Sequence, residues 1–326
     1  MFKFLIDKLK EHPRKIVFPE GTDPRILEAS ARLLSGTFLT PVLVGNPEEI
    51  HAVAEEIGYN IRGAEIVDPE NFPDMEKMVQ TLVEIRKGKV TEEKARVLTK
   101  QGNYFGTMLV KMGYADALLG GATYTTADTV RPALQIIKTK PGSKVVTSCF
   151  IMVRPSATGG REVLAMGDCA INIKPNAEEL AEVCIGCGNT AKVFGMDPKV
   201  AMLSYSTKGS GAGEDVDKVR EAYEIVRERA PELAVEGEIQ FDAAVSPTVA
   251  GLKCPNSPVA GQANTFVFPD INAGNIGYKI AQRLGGFDAY GPILQGLNAP
   301  INDLSRGCNA EEVYSMAIIT AALCEN

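Results

Sequence analysis

A hydroxyl, a guanidinium, a thiol and two carboxylates occur within eight residues near the end of this chain. Ser305-Arg306-Gly307-Cys308 follows an apolar run, and Glu311 and Glu312 begin the helix predicted next. The free N–H groups at a helix N-terminus favour anions. A guanidinium binds phosphate in bidentate fashion, and the glycine removes bulk beside it. The pattern favours phosphate binding, with a structural salt bridge of Arg306 as the alternative interpretation.

The thiol and the carboxylates of this stretch suggest different chemistries. A helix N-terminus lowers the pKa of a thiol, so Cys308 is a candidate nucleophile. The chain has only two histidines, His12 and His51, and both are predicted to be solvated. Because no histidine can pair with Cys308, a packing or lining role is favoured for it. A general base in this protein is therefore predicted to be a carboxylate.

Further basic residues occur where ligands or helix ends are expected. Arg131 follows a strand that ends in two glycines, and such junctions bind ligands in open α/β sheets. Arg86 lies at a helix end, where the helix dipole also favours a solvated cation. Lys279 and Arg283 are four residues apart, so they share one face of a predicted helix.

Two other motifs give weaker signals. The segment 208–213, KGSGAG, is rich in glycine and precedes a helix, but it lacks the ending of a P-loop and the spacing of a dinucleotide fingerprint. Cys184 and Cys187 form a CxxC motif without a second pair at zinc-finger spacing. Packing inside a helix is the favoured interpretation of these cysteines.

The elements that must position these residues alternate between strands and helices. Such alternation predicts βαβ units and a parallel sheet. A boundary is predicted at Pro141-Gly142, followed by a hairpin of strands 145–153 and 163–166. The predicted strands are 15–18, 41–44, 116–119, 168–173, 200–204, 238–241 and 265–268. The predicted helices are 2–10, 24–34, 48–57, most of 74–112, 126–137, 177–194, 214–229, 242–250 and 309–323.

The stretch 264–312 carries most of the chemistry. Its helix is predicted to begin with Asn272 as N-cap and to end at Gly285-Gly286. Ile276, Ile280 and Leu284 lie on one face of that helix. The final helix, 309–323, is predicted to pack back on the first domain.

Composition narrows the class of protein. The 326 residues include 34 basic and 41 acidic side chains, and the formal net charge of −7 argues against nucleic acid as a bulk partner. The first residues lack the apolar core and cleavage site of a signal peptide, and no run approaches the ~20 apolar residues of a membrane helix. Seven scattered cysteines are atypical of a disulfide framework. A cytoplasmic protein that does not associate with membranes is therefore expected.

Four long motifs resemble the phosphate acetyltransferase (phosphotransacetylase) family. The order and spacing of the similarity extend over essentially the whole chain. The motifs are GGATYTTADTVRPALQIIKT, SYSTKGS, PNSPVAGQANTFVFPDINAGNIGYK and GPILQGLNAPINDLSRGC.

The resemblance implies an α/β fold of two domains with an interdomain cleft, like the isocitrate and isopropylmalate dehydrogenases. The implied domains are 1–141 plus 301–326, and 142–300. The implied reaction interconverts acetyl phosphate and coenzyme A with acetyl-CoA and inorganic phosphate, usually in a homodimer. Coenzyme A is then a substrate, and no tightly bound cofactor or metal is expected.

The resemblance also implies roles for individual residues. Ser305 contacts the coenzyme A thiol, and Arg306 is the catalytic arginine near the acyl phosphate. Arg86 and Arg131 bind coenzyme A and phosphate. Residues expected to contact the coenzyme are Lys279, Arg283 and Tyr290, and Cys308 is expected to line the site.

The predicted mechanism is direct acyl transfer in a ternary complex. Glu312 accepts the thiol proton, Ser305 orients the sulfur or donates to the oxyanion, and Arg306 holds the phosphate. Glycines at the junctions let backbone N–H groups approach the phosphate oxygens. Glu312 departs from the family, whose proposed base is an aspartate at this position, and Glu311 is a less favoured substitute.

Three alternatives differ from acetyl transfer. A phosphate butyryltransferase has the same chemistry with a larger acyl pocket. An NAD(P)-dependent oxidoreductase needs a metal-binding aspartate cluster or a nicotinamide fingerprint, and the sequence shows neither. A non-catalytic two-domain binding protein usually carries a signal peptide, and none is recognised here.

Overall fold

The computed structural model describes residues 2–324 and divides into two compact units. The first unit contains the described residues up to Pro141 and those from Leu297 onward, and the second unit is Gly142–Gly296. Each unit has its own β-sheet with helices packed on it. The predicted second domain extended to residue 300, so the two divisions differ by the segment 297–300.

The elements follow one another along the chain with short connections. Up to Pro141 they are α1 (Phe2–Glu11), β1 (Arg14–Phe18), α2 (Pro24–Gly36), β2 (Leu39–Val44), α3 (Pro47–Glu56), β3 (Glu65–Val67), α4 (Met75–Arg86), α5 (Glu92–Leu98), α6 (Gly102–Lys111), β4 (Ala117–Gly120) and α7 (Thr126–Pro132). The remaining elements are β5 (Thr147–Pro155), β6 (Arg161–Gly167), α8 (Ala177–Val193), β7 (Lys199–Leu203), α9 (Glu214–Arg229), β8 (Ala234–Ile239), α10 (Phe241–Val245), α11 (Pro247–Lys253), β9 (Thr265–Val267), α12 (Ile271–Arg283), β10 (Asp288–Gln295), β11 (Ile301–Asp303) and α13 (Ala310–Ala322).

The sheet of the first unit is parallel throughout, with the strand order β11-β4-β1-β2-β3. In β1, Ile16, Val17 and Phe18 are all fully buried. Successive strand residues point to opposite faces, so both faces of the sheet are covered by helices. The carboxyl ends of β1, β4 and β11 lie side by side at one edge of the sheet, which brings the segments after them together.

Helix α13 returns from the end of the chain into the core of this unit. Nine of its 13 residues are buried, and it packs against α1, α2 and β4. A helix that is apolar on nearly every side must be enclosed by other elements. The part of α13 from Val313 onward is therefore enclosed, and its exposed first turn follows directly on the chemistry-bearing segment.

The sheet of the second unit is mixed, with the strand order β10-β5-β6-β9-β7-β8. Strands β5 and β6 form the predicted antiparallel hairpin, and β10 adds an antiparallel edge to β5. The pairs from β6 onward are parallel. Helix α8 packs on four of these strands, and its cysteines Cys184 and Cys187 are fully buried, which confirms the packing interpretation of the CxxC motif.

The predicted strand at 168–173 is wrong. The carboxylate of Asp168 accepts the backbone N–H groups of Ala170, Ile171 and Asn172, at 3.0–3.1 Å. An aspartate that binds the backbone just after itself forms a turn instead of an extended strand. The strand prediction failed here because the Asp168 side chain binds the backbone that an extended strand would present to its neighbours.

Two predicted helix positions are also corrected. Helix α12 has Asp270, not Asn272, as its N-cap, because the Asp270 side chain accepts the Ala273 N–H at 3.0 Å. The single helix predicted at 242–250 is two helices, α10 and α11. Pro247 has no N–H to continue the first helix, and Ser246 caps the second.

The apolar face predicted for α12 is exposed. Ile276, Ile280 and Leu284 have exposed fractions of 58, 53 and 85 %, and Gly274 is the only buried residue of the helix. The helix is amphipathic, but its apolar stripe does not face the core of its own unit. Sequence periodicity identifies such a stripe without identifying what covers it.

Candidate active site

The segment after β11 forms a tight turn that exposes a serine and an arginine. The Cys308 N–H donates to the Ser305 carbonyl at 2.9 Å, and the Gly307 N–H donates to Ser305 Oγ at 3.2 Å. Ser305 and Arg306 are both exposed. In the part of the chain that the structure describes, the Arg306 guanidinium has no ion-pair or hydrogen-bond partner. The salt-bridge alternative for Arg306 is therefore not realised in this structure.

A second arginine, Arg25 at the start of α2, holds the main chain of this turn through hydrogen bonds. Its Nη1 donates to the carbonyls of Arg306 and Cys308 at 2.9 and 3.0 Å. Its Nη2 donates to the Ala122 carbonyl at 2.8 Å and to Asp23 Oδ2 at 2.7 Å. One guanidinium thus connects the segments that follow β1, β4 and β11. Sequence reasoning missed Arg25, since nothing in its local pattern shows that its partners lie about 100 and 280 positions away.

The carboxylates at the start of α13 have structural partners. Glu312 Oε2 accepts the Asn309 N–H at 3.0 Å while Asn309 Oδ1 accepts the Glu312 N–H at 2.9 Å, which is a capping box. Glu311 forms an ion pair with Arg32 at 2.6 Å. The Asn-x-x-Glu spacing of residues 309–312 is the sequence pattern of such a box. Glu312 Oε1 keeps no partner among residues 2–324.

Cys308 is buried below the turn, with 6 % of its surface exposed. Burial raises the pKa of its thiol to about 11, although the nearby Arg25 acts in the opposite direction. The thiol is therefore protonated near neutral pH, which opposes the nucleophile interpretation and favours packing. The lowering expected from the helix N-terminus is outweighed by desolvation.

The glycine pair Gly120-Gly121 at the end of β4 leads into a loop whose backbone N–H groups bind one of the protein's own carboxylates. Glu20, just after β1 and 7 % exposed, accepts the backbone N–H groups of all four residues from Gly121 to Tyr124. Gly121 has φ 102°, and a Cβ there would lie 2.7 Å from the Leu304 nitrogen. The expectation that junction glycines offer N–H groups to phosphate is wrong at Gly121, because Glu20 occupies them.

Asp303, two residues before Ser305, is a buried carboxyl that sequence reasoning missed. It is 2 % exposed, and its Oδ1 has no hydrogen-bond partner among the described residues. Burial raises its pKa, the hydroxyls of Thr126 and Thr129 lower it, and the charge of Glu20 adds to the rise. A carboxyl in this environment holds its proton more readily than usual.

The charges of Arg86 and Arg131 both act on one tyrosine of the first unit. Tyr104 on α6 is buried and donates from its hydroxyl to Gln135 Oε1 at 3.0 Å. Burial raises the pKa of Tyr104, and the charges of Arg131 and Arg86 both oppose that rise. Arg131 is exposed and forms a 3.3 Å ion pair with Asp128. Two arginines that are far apart in sequence therefore act electrostatically on the same residue of the first unit.

The coenzyme-contacting residues predicted in the second unit lie on α12 and β10. Lys279 is exposed and donates to Asn275 Oδ1 at 2.8 Å. Arg283 ends α12 and is exposed, while Tyr290 is half-buried in β10 opposite Ile151. Both cations are thus accessible on the surface of their unit.

The glycine-rich loop at 208–213 is bound by buried carboxylates of β8. Lys208 pairs with Glu236, and the Gly209 N–H donates to Glu238 Oε1 at 2.7 Å. Arg220 also pairs with Glu238, at 3.2 Å. The cation and the first N–H group of this loop are therefore already occupied, which supports a structural role.

Among residues 2–324, no three His, Cys, Asp or Glu side chains converge as metal ligands. Within the same residues, every helix is too short or too polar to serve as a membrane span.

Comparison with known proteins gives consistent matches over the full length. A model of the family described as "Phosphate acetyl/butaryl transferase" matches residues 1–321. The chain is 55 % identical to a phosphate acetyltransferase of Bacillus subtilis (strain 168) over 322 residues, which is 99 % of this chain and 98 % of that protein. A solved phosphotransacetylase from Streptococcus pyogenes is 55 % identical, with a TM-score of 0.95 over 99 % of this chain and 97 % of that one.

A more distant structure tests the fold class. A 4-hydroxythreonine-4-phosphate dehydrogenase from Salmonella typhimurium has a TM-score of 0.54 at 14 % identity, over 95 % of this chain and 99 % of that chain. This likeness concerns the fold alone and confirms the dehydrogenase-like α/β class. Together with the match over residues 1–321, these findings show that the chain belongs to the phosphate acetyl/butaryl transferase family.

Proposed function

We propose that this protein is a phosphate acetyltransferase that moves an acetyl group between acetyl phosphate and coenzyme A by direct thiolate attack in a ternary complex. The observation that carries the proposal is Arg306, which is exposed beside Ser305, lies on a turn fixed by Arg25 and has no side-chain partner among residues 2–324. The full-length identity of 55 % to a phosphate acetyltransferase supports the acetyl reaction over the butyryl alternative.

Arg306 is proposed to hold the phosphoryl group. Its main chain is fixed by Arg25, and its guanidinium is left to bind an anion. A preorganised cation stabilises the charge of the departing phosphate without having to reorganise during the reaction. Ser305, adjacent and exposed, is proposed to orient the coenzyme sulfur or to donate to the oxyanion.

Glu312 is proposed to accept the thiol proton through Oε1. Its other oxygen is committed to the N-cap of α13, so the carboxylate is held in one orientation. The longer side chain, relative to the family aspartate, reaches back to the cap through Oε2 and leaves Oε1 without a partner among the described residues. A fixed carboxylate is suited to general base catalysis.

The remaining cations are proposed to bind the anionic parts of the substrates. Arg86 and Arg131, whose charges both lower the pKa of Tyr104 in the first unit, are proposed to bind acetyl phosphate or coenzyme A. Lys279, Arg283 and Tyr290 are proposed to contact coenzyme A from the second unit. Accessible cations recognise phosphates well, because a phosphate accepts several charge-assisted hydrogen bonds.

Direct transfer is proposed over an acyl-cysteine intermediate. The Cys308 thiol is buried, and its pKa of about 11 keeps it protonated near neutral pH. Cys308 is therefore proposed to line the floor of the site without entering the chemistry.

A homodimer in the cytoplasm completes the proposal. All seven cysteines are buried and free, which fits a reducing compartment. The exposed stripe Ile276, Ile280 and Leu284 is apolar surface that a second copy would cover. Sedimentation equilibrium tests the assembly, and a monomer at micromolar concentration would contradict it.

The test of the reaction is thioester absorbance after purified protein is mixed with coenzyme A and acetyl phosphate, with no nicotinamide added. We expect thioester to form with the wild type and to fall sharply with Arg306→Ala. Butyryl phosphate in a parallel assay is expected to react more slowly. Absence of thioester with the wild type would refute the function, and faster reaction of butyryl phosphate would favour the butyryl enzyme.

A further inference from the structure

A single buried carboxylate organises the loop after β4. Glu20 Oε2 accepts the N–H groups of Gly121 and Ala122 at 3.1 and 3.3 Å. Its Oε1 accepts the Thr123 N–H, the Thr123 hydroxyl at 2.9 Å and the Tyr124 N–H at 3.1 Å. Successive backbone N–H groups that converge in this way form an anion-binding concavity. Here the anion is an internal side chain, so the concavity shapes the backbone instead of binding a ligand.

The loop held by Glu20 is connected to the exposed turn at 305–308. The Ala122 carbonyl, inside the loop, accepts Nη2 of Arg25 at 2.8 Å. The same guanidinium donates through Nη1 to the carbonyls of Arg306 and Cys308. The 121–124 loop therefore helps, together with Asp23, to hold the Arg25 guanidinium, and that guanidinium in turn holds the main chain of the turn at 305–308.

The same loop also leads directly into α7. Thr125 is the N-cap of this helix, one residue beyond the last N–H bound by Glu20, and Arg131 lies near its end. Glu20 thus contributes to the placement of both Arg131 and Arg306. Among the described residues, Glu20 forms no hydrogen bond or ion pair with Arg131 or Arg306. Glu20 therefore influences their positions only through the 121–124 loop.

We propose that Glu20 is a positioning residue, whose carboxylate fixes the 121–124 loop and thereby holds Arg306 and Arg131 for the phosphoryl group. This proposal rests on the proposed function for its catalytic consequence. The charged and titratable groups near Glu20 are Arg25, Asp303, Tyr124 and Cys308. A carboxylate is needed because all five of its partners donate, and an amide would turn an N–H₂ group toward some of them.

The first test is Glu20→Gln, which keeps the size of the side chain and removes the charge. We expect kcat to fall about 10- to 100-fold, because misplacing groups by about 1 Å can cost that much in rate. Glu20→Asp retains the carboxylate on a shorter side chain, and its kcat is expected to lie between those of the wild type and Glu20→Gln. The matched control is Glu55→Gln, which changes an exposed carboxylate of α3 and is expected to keep the wild-type kcat.

The second test is amide hydrogen exchange of residues 121–124, which needs no substrate. We expect these amides to be protected in the wild type and to exchange roughly tenfold faster or more in Glu20→Gln. Circular dichroism checks that each variant is folded, and if Glu20→Gln does not fold, Glu20→Asp takes its place in both tests.

The outcomes separate this inference from the proposed function. Slower turnover together with faster exchange at 121–124 supports it. Wild-type turnover in Glu20→Gln, or unchanged exchange at 121–124, overturns it. If the wild type forms no thioester, the proposed function fails, and the exchange measurement alone then decides whether Glu20 holds the loop.

Discussion

Two strand-to-helix junctions, one in each unit, look alike in sequence but differ in what their cations do. Ser305-Arg306-Gly307 and Lys208-Gly209-Ser210 each combine a basic side chain, a hydroxyl and a glycine before a helix. In the first junction Arg306 is exposed and unpartnered among the described residues. In the second, Lys208 pairs with the buried Glu236, and Glu238 accepts the next N–H group.

The difference shows that a basic, glycine-containing loop is not by itself an anion site. What decides is whether a nearby carboxylate accepts the hydrogen-bond donors of the loop. Strand β8 supplies two, so the 208–213 loop is neutralised internally. In the loop at 121–124, Glu20 likewise accepts the backbone N–H groups, whereas the exposed Arg306 side chain in the turn at 305–308 has no partner among the described residues.

The largest expected effect concerns Arg306. Arg306→Ala is expected to lower kcat about 10²–10³-fold, the usual cost of removing one donor that stabilises transition-state charge. Steady-state thioester formation is the measurement. Arg32→Ala is the matched control, because that guanidinium already has Glu311 as a partner. A variant Arg306→Ala with near-normal turnover would remove the distinction between the two junctions.

The next effect separates the two roles of Glu312. Glu312→Gln preserves the capping box, since glutamine at this position also accepts the N-cap N–H. We therefore expect α13 and the melting temperature to be unchanged while kcat falls about 10²-fold and loses its dependence on a titrating base. The pH–rate profile and circular dichroism together measure this. An unchanged profile would transfer the role to Glu311 or to solvent.

A stability effect without a catalytic effect is expected at the second junction. Burial raises the pKa of Glu238, but hydrogen bonds from Arg220, Gly209 and Ser206 outweigh it and lower the pKa below its ordinary value of 4.5. A lowered folded-state pKa stabilises the fold above pH 4.5, and this stabilisation is lost as the pH falls through the folded-state value.

Glu238→Gln is therefore expected to lower the free energy of unfolding at pH 7 by about 1–3 kcal/mol, the cost of leaving buried partners unsatisfied. The deficit relative to the wild type should shrink in acid, and kcat at 25 °C should stay near normal. Thermal melts between pH 3 and 8 measure the first expectation. A large loss of kcat in the folded variant would mean that this junction also serves catalysis.

The smallest expected effect is that of Cys308→Ala. With a pKa of about 11, the thiol is protonated at neutral pH, so kcat should remain within a few-fold of the wild type. Alkylation by iodoacetamide should be slow at pH 7 and accelerate only toward pH 11. Complete loss of activity would instead indicate an acyl-cysteine route.

Local pattern predicted many elements well. Helix α9 spans the predicted 214–229, and α8 ends one residue before the predicted end. These helices have strong periodicity or clear caps, which act over a few residues. The segment 168–173 failed because the Asp168 side chain competes with extended backbone, and propensity does not register such a bond.

The sequence alone determined the α/β class, the family and the position of the chemistry-bearing turn, since these depend on periodicity and on long local motifs. The tertiary structure decided which charges are available. Arg25 and Glu20 act through partners about 100 to 280 positions away, at the shared edge of a parallel sheet. The order of strands sets that proximity, and only the folded chain reveals which cations are paired and which remain to bind a phosphate.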